Sequence, residues 1–164
     1  MEVNLSDVIE AIEFEGELLS HYYNKKTGII IYLEDNSTSN YKAEDINNIE
    51  NFEEWEKELI SGLYDLKENF QDYIQLPNKD EINECNMMID FCKSLDDKNF
   101  KDKNLEELQE EYSLRKLREH IENIGQLSEW YDYREKAEYQ LAIDWCKKNN
   151  IEYFLINIKK VSFL

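Results

Sequence analysis

Helix breakers are almost missing from this chain: 164 residues carry one proline and four glycines. Proline removes the amide donor that a helix needs, and glycine loses more conformational freedom on folding than any other residue, so both punctuate regular structure. So sparse a set predicts a mostly helical fold. No Pro-rich or Gly/Ser-rich stretch marks a linker and no segment repeats, so residues 1–164 read as a single domain.

Apolar spacing supplies the helices. Val8, Ile9 and Ile12 mark a first one over residues 6–14, with Ser6 as its N-cap. Residues 52–70 place Trp55, Leu59, Leu63 and Leu66 on one stripe, and Gly62 inside it suits a close approach by another segment. Residues 79–95 step through Ile82, Cys85, Ile89 and Cys92 as a continuous helix. Leu105 to Tyr112 and Leu114 to Ile124 follow, the second closed by Gly125, and residues 128–149 form the longest helix, opened by Ser128.

One region departs from this period. In "LLSHYYNKKTGIIIYLED", Leu19 to Tyr23 and Ile29 to Leu33 are rich in aromatic and β-branched residues, and Asn24 and Gly28 between them tolerate left-handed backbone. That predicts a β-hairpin, which needs helices or further strands to be stable. "YIQLP" before Pro77 is a short extended segment that could add an edge to it. The run from Tyr153 to Ile156 is expected to be a strand pairing with the hairpin. Residues 35–54, with a short helical turn near Ala43 to Asn48, and "DDKNFKDKN" read as loops. The expected fold class is therefore α+β: a mostly helical domain with a small antiparallel sheet nucleated by residues 19–33. Its expected core joins Trp55, Leu59, Leu63, Ile82, Cys85, Ile89, Cys92, Leu117, Ile121, Leu141 and Trp145.

Charge narrows the partners. Against 37 Asp and Glu stand 19 Lys and Arg, a formal net charge of −18. Such a field repels phosphates and anionic membrane surfaces and attracts basic proteins, so direct nucleic-acid binding is disfavoured. The acidic start, "MEVNLSDVIEAIEFE", lacks the basic region of a signal peptide, and no apolar run reaches a membrane span. Cytoplasmic location with Cys85, Cys92 and Cys146 reduced is the expectation.

The segments "YYNKKTG", "YIQLP", "MMIDF", "SLRKLRE" and "SEWYDYREKAEYQLAIDWCKKNNIE" resemble uncharacterised protein family 0158, a bacterial family to which no activity is attached. The likeness runs from about Val3 to Glu152. Tyr22, Tyr23, Thr27 and Gly28 match its extended Tyr and turn; Tyr73, Leu76 and Pro77 match its Tyr-x-x-Leu/Ile-Pro step; Met88 and Phe91 match its Met-x-x-Phe helix. Glu129, Trp130, Tyr131 and Arg134 match its Glu-Trp-Tyr-x-Phe-Arg signature, with Tyr133 in the Phe position. Where the family carries an aromatic-basic run of the type Ala-Phe-Arg-Arg-Phe-Lys-Asp, this chain reads Ser113 to Glu119, with Leu114 and Leu117 in place of both Phe. If those rings are core, Leu is an ordinary apolar exchange. If they stack on a ligand, that contact is lost here.

Within so acidic a chain, Arg115, Lys116 and Arg118 crowd together, and Arg134 follows Trp130 and Tyr131. Arg115, Arg118, Trp130, Tyr131 and Arg134 could hold a small anion or nucleotide, because a guanidinium pair beside aromatic rings grips phosphate or carboxylate in two places. Alternatively they pair with Glu111, Glu119, Glu122 and Glu129 as internal ties. His21 and His120 sit in no zinc-helix spacing, and there is no C-x-x-C, calcium loop, phosphate loop or nucleophile elbow. Cys85 and Cys92, two helical turns apart, fit a core rather than a disulfide. No metal or cofactor is implied. The expected function is a non-enzymatic acidic interaction or regulatory protein binding a basic partner. The alternatives are small-anion binding through the Arg cluster and mimicry of nucleic acid, the last requiring acids gathered on one face.

Overall fold

The computed structural model describes residues 2–14, 19–34, 40–95, 97–103 and 105–155. Among these the chain is mostly helical, with eight α-helices and a small three-stranded antiparallel sheet. The α+β class expected from the sequence is what forms. The chain divides into two compact units, residues 1–79 with 142–164, and residues 80–141.

The first unit begins with β1 (Val3–Asn4) and α1 (Leu5–Glu13). Asn4, not Ser6, caps α1: its side chain accepts from the Ser6 amide at 3.2 Å and donates to Asp7 at 2.9 Å. Leu5, Val8, Ala11 and Ile12 form the buried stripe. The predicted hairpin is present as β2 (Leu19–Asn24) and β3 (Ile30–Glu34) in antiparallel register, Tyr22 opposite Ile31. Gly28 turns the chain at φ 78°, and the Asn24 side chain accepts from the amides of Lys26 and Thr27. A 3-10 helix (Ala43–Asn51), longer than the turn expected there, leads to α2 (Glu54–Glu68). The "YIQLP" segment supplies β4 (Tyr73–Gln75), which pairs with β2, so the strand order is β3-β2-β4.

Gly62 has the use its position suggested. A Cβ there would stand 3.3 Å from Ile31 Cγ2, so the missing side chain lets α2 lie close on β3. Trp55 corrects the expected core: it is 61% exposed. It shares the angular stripe of Leu59 and Leu66 but lies in the first turn of α2, where what it meets is the edge of the Tyr41 ring at 5.9 Å. The buried positions of α2 are Ile60, Leu63 and Leu66.

The second unit holds α3 (Lys79–Ile82), α4 (Glu84–Ser94), α5 (Lys98–Lys101), α6 (Leu105–Glu111), α7 (Leu114–Asn123) and most of α8 (Leu127–Lys148). The continuous helix expected over 79–95 is broken at Asn83, which takes left-handed backbone at φ 36° and caps α4 by accepting from the Asn86 amide at 3.0 Å. In consequence Ile82 and Cys85 are only half-buried. Helix α5 replaces the loop expected there, capped by Asp97. Its Phe100 joins Met88, Ile89, Phe91, Cys92, Leu108, Leu117, Ile121 and Trp130 in one cluster. Helix α7 ends on Gly125 at φ 72°, where the Gln126 amide bonds back to Ile121 and that of Gly125 to Glu122. Helix α8 opens at Leu127, which places Ser128 inside its first turn.

Of the remaining expected core positions, Leu63 and Trp145 are buried in the first unit, Ile89, Cys92, Leu117 and Ile121 in the second, while Leu59 and Leu141 are half-buried. The C-terminal strand is β5 (Tyr153–Phe154), and its pairing differs from expectation. It runs parallel to β1, Val3 beside Tyr153, instead of joining the hairpin. Ile156 lies outside the described residues, as do the polar residues 35–39.

Candidate functional site

The five residues singled out in the sequence all belong to the second unit, and each faces a neighbour. Arg115 Nε donates to Glu119 one turn on, at 2.9 Å. Arg118 donates to the Tyr131 hydroxyl at 3.1 Å, joining α7 to α8. Arg134 Nε donates to Glu138 at 2.7 Å, and another guanidinium nitrogen stands 4.0 Å from Glu84. Trp130 is buried, 5.7 Å from Phe91 and stacked near Tyr133. Arg118 and Tyr131 are therefore brought together, while Arg115 and Arg134 engage carboxylates of their own helices. Of the two leucines in this basic run, Leu117 is core and Leu114 is exposed.

His120 sits beside Asp97, Nε2 to Oδ2 at 2.6 Å, with the Phe100 ring 5.1 Å away. Burial pushes up the Asp97 carboxyl, but the Asn99 amide and the His120 ring outweigh it and hold the group below its ordinary range. Burial, and then the nearby Asp97 charge, drive the Cys92 thiol up to about 11, so at neutral pH it is a packed SH group. Burial does the same to Cys146, also to about 11. Among the described residues no group of three or more His, Cys, Asp or Glu is placed to hold a metal ion.

The first unit carries a more open arrangement. The face of α1 bearing Asp7, Glu10 and Ala11, with Phe14 at its C-terminal cap, spaced three, one and three apart, borders one face of the sheet. From the sheet come Leu19, His21, Ile30, Tyr32 and Glu34, with Gly28 and Ile29 at the turn, and between them lies a groove of about 690 Å³. The alternation of the strands decides the set: Ile30, Tyr32 and Glu34 share a face of β3, and across from Tyr32 stands His21, with ring centroids 6.5 Å apart. The groove's lining is mainly apolar and carries three carboxylates, Asp7, Glu10 and Glu34. Phe14 and Ile29 are 64% and 58% exposed at its margin.

Among the described residues the same strand is an unpaired sheet edge. The Asn24 amide bonds to the Ile29 carbonyl, so Tyr22 with Ile31 and Ser20 with Leu33 are the other hydrogen-bonded pairs of the ladder. The amides and carbonyls of Ile30, Tyr32 and Glu34 therefore point away from β2. No backbone hydrogen bond from another described segment reaches them. The opposite edge differs. β4 is three residues long, and Pro77 follows shortly after it.

Sequence reasoning missed this site. The signal was present in "IIIYLE", a β-prone run without Lys or Pro inside it, the residues that usually protect an edge. What periodicity could not supply is that α1 packs beside it and brings Asp7 and Glu10 to the same groove. No protein-family model, no curated protein and no solved structure matches this chain.

Proposed function

We propose that this protein acts by binding a basic protein partner through its acidic surface, as a non-enzymatic interaction or regulatory factor of the bacterial cytoplasm. The observation that carries this reading is the placement of its charge next to exposed apolar groups. Asp7, Glu10 and Glu34 surround a groove margined by Phe14 and Ile29, so attraction and apolar burial are offered at one place. Exposed carboxylates continue on other helices, among them Glu54 and Glu58 on α2, Glu106 and Glu110 on α6, and Glu135 on α8. Within the first unit, Asp7 and Glu10 on α1 and Glu54 and Glu58 on α2 flank opposite faces of the sheet, which favours general attraction of a basic partner over one-sided imitation of nucleic acid. The pairing of Arg115 and Arg134 with carboxylates argues for internal ties over anion capture.

The cytoplasmic part of the reading draws on three unpaired cysteines. Among the described residues no helix is long and apolar enough to cross a membrane. The test is affinity capture with the intact protein followed by direct titration of each recovered partner over a salt series. A partner of high isoelectric point is expected, with affinity falling steeply between about 0.05 and 0.3 M salt as charges separated by about 10 Å become screened. Partners that are acidic, or whose binding ignores salt, would defeat the reading.

A further inference from the structure

We propose that the outer edge of β3, with the groove beside α1, receives an extended peptide of the partner as an added strand, one that alternates Lys or Arg with apolar side chains. The inference rests on the acidic-interaction reading and gives it a place and a mode. Three features of the first unit converge here. The amides and carbonyls of Ile30, Tyr32 and Glu34 point outward with no bond from another described segment. An incoming strand satisfies those groups pairwise, which makes main-chain hydrogen bonding the source of affinity and side-chain alternation the source of specificity.

The groove then reads the alternation. Side chains of the added strand that point to the α1 side meet Glu34, Glu10 and Asp7, which suit Lys or Arg. Those on the opposite side meet a second concavity of about 420 Å³, where Leu33, Leu63, Leu66 and Phe70 stand beside Lys42 and the ion pair of Lys67 with Glu44; the mainly apolar lining suits apolar side chains and the lysine discourages a second row of cations. Strand geometry delivers the two kinds of side chain to opposite faces at every second residue.

Charge decides the occupant. A second copy of this chain could pair edge to edge through β3, but it would bring another formal charge of −18 and meet the same three carboxylates. A basic segment gains where a second copy is repelled.

The experiment uses the full chain, isotopically labelled, and three synthetic peptides of equal composition. One alternates, Lys-Val-Lys-Val-Lys-Val-Lys. The second groups its Lys before its Val. The third is the alternating peptide methylated on every backbone nitrogen, which leaves it no amide donor on either edge to pair as a strand. The alternating peptide is expected to bind in a salt-sensitive way and to shift the amide signals of Ile30, Tyr32, Glu34, Asp7 and Glu10. The other two are expected to bind about tenfold more weakly or worse, a factor corresponding to roughly one lost hydrogen bond.

Tyr32→Pro removes an outward amide without touching the ladder to β2 and is expected to abolish the preference, while Tyr32→Val keeps it. Equal binding of all three peptides, unmoved by Tyr32→Pro, would overturn the edge proposal and leave the acidic reading intact. Failure of every basic peptide to bind at low salt would sink both. Free-protein signals showing the Tyr32 amide already paired, with a second copy or with residues 156–164, would replace the proposed occupant.

Discussion

Asp65 shows how much of this fold hangs on single polar side chains. Its carboxylate accepts from the Tyr73 hydroxyl at 2.5 Å, from Asn69 at 2.7 Å and from Asn24 at 3.2 Å, fixing the hairpin turn and β4 to α2. The Tyr73 hydroxyl, then the Asn69 amide, hold Asp65 below its usual 3.8. A depressed carboxyl pKa stabilises the fold above the unfolded-state value and ceases to do so as pH falls through the folded value. Asp65→Ala is therefore expected to lose about 1–3 kcal/mol at pH 7, because the Tyr73, Asn69 and Asn24 donors lose their shared acceptor. Urea titrations at a series of pH values should show that gap closing below about pH 4. Tyr73 behaves oppositely. Burial, then the Asp65 hydrogen bond, raises it from 10.0 to about 12. Its contribution is whole below pH 10 and is lost as the pH climbs toward 12, so Tyr73→Phe should flatten that alkaline decline. Two apolar residues expected alike in the core should also part company. Leu117, fully buried, is expected to cost about 2–5 kcal/mol on change to Ala, and Trp55, largely exposed, under about 1 kcal/mol. Denaturant midpoints of the two variants decide it.

At the scale of elements, legibility followed the strength of local rules. The hairpin was readable because Asn24 and Gly28 supply the turn chemistry and β-branched residues flank it. Gly125 was readable as a helix stop because left-handed backbone favours glycine. Asn83 escaped detection because the apolar period of Ile82, Cys85 and Ile89 runs straight through it, while its side chain offers the backbone a competing local hydrogen bond. Replacing Asn83 with Gly should cost a few tenths of a kcal/mol, since glycine keeps the backbone and loses the cap. Replacing it with Val should cost about 2 kcal/mol or more, because a β-branched residue resists left-handed backbone. Thermal unfolding of the pair measures the difference. The pairing of β5 with β1 was beyond local reading too: the apolar run predicts a strand but carries no information about which edge lies nearby.

Over the whole chain the dominant quantity is the formal charge of −18. Self-repulsion of that size opposes compactness, and salt screens it within about 10 Å at 0.1 M. The melting temperature at pH 7 is therefore expected to rise as NaCl goes from about 0.02 to 0.3 M, whereas basic-partner binding weakens over the same range. A calorimetric series in which salt leaves the midpoint unmoved or lowers it would show that local ion pairs, such as Lys26 with Asp72 at 2.6 Å, already offset the repulsion.

The sequence by itself determined the class of fold, the acidic field and most helix positions, because backbone period, breaker scarcity and charge are properties of neighbours along the chain. It also set Arg118 and Tyr131 in one candidate group of five, and those two do meet. Only the tertiary structure decided that Trp55 faces outward, that Arg115 and Arg134 turn to carboxylates, and that α1 brings Asp7 and Glu10 beside an open strand edge. Those outcomes depend on which residues far apart in sequence come to share one volume, and no spacing rule encodes that.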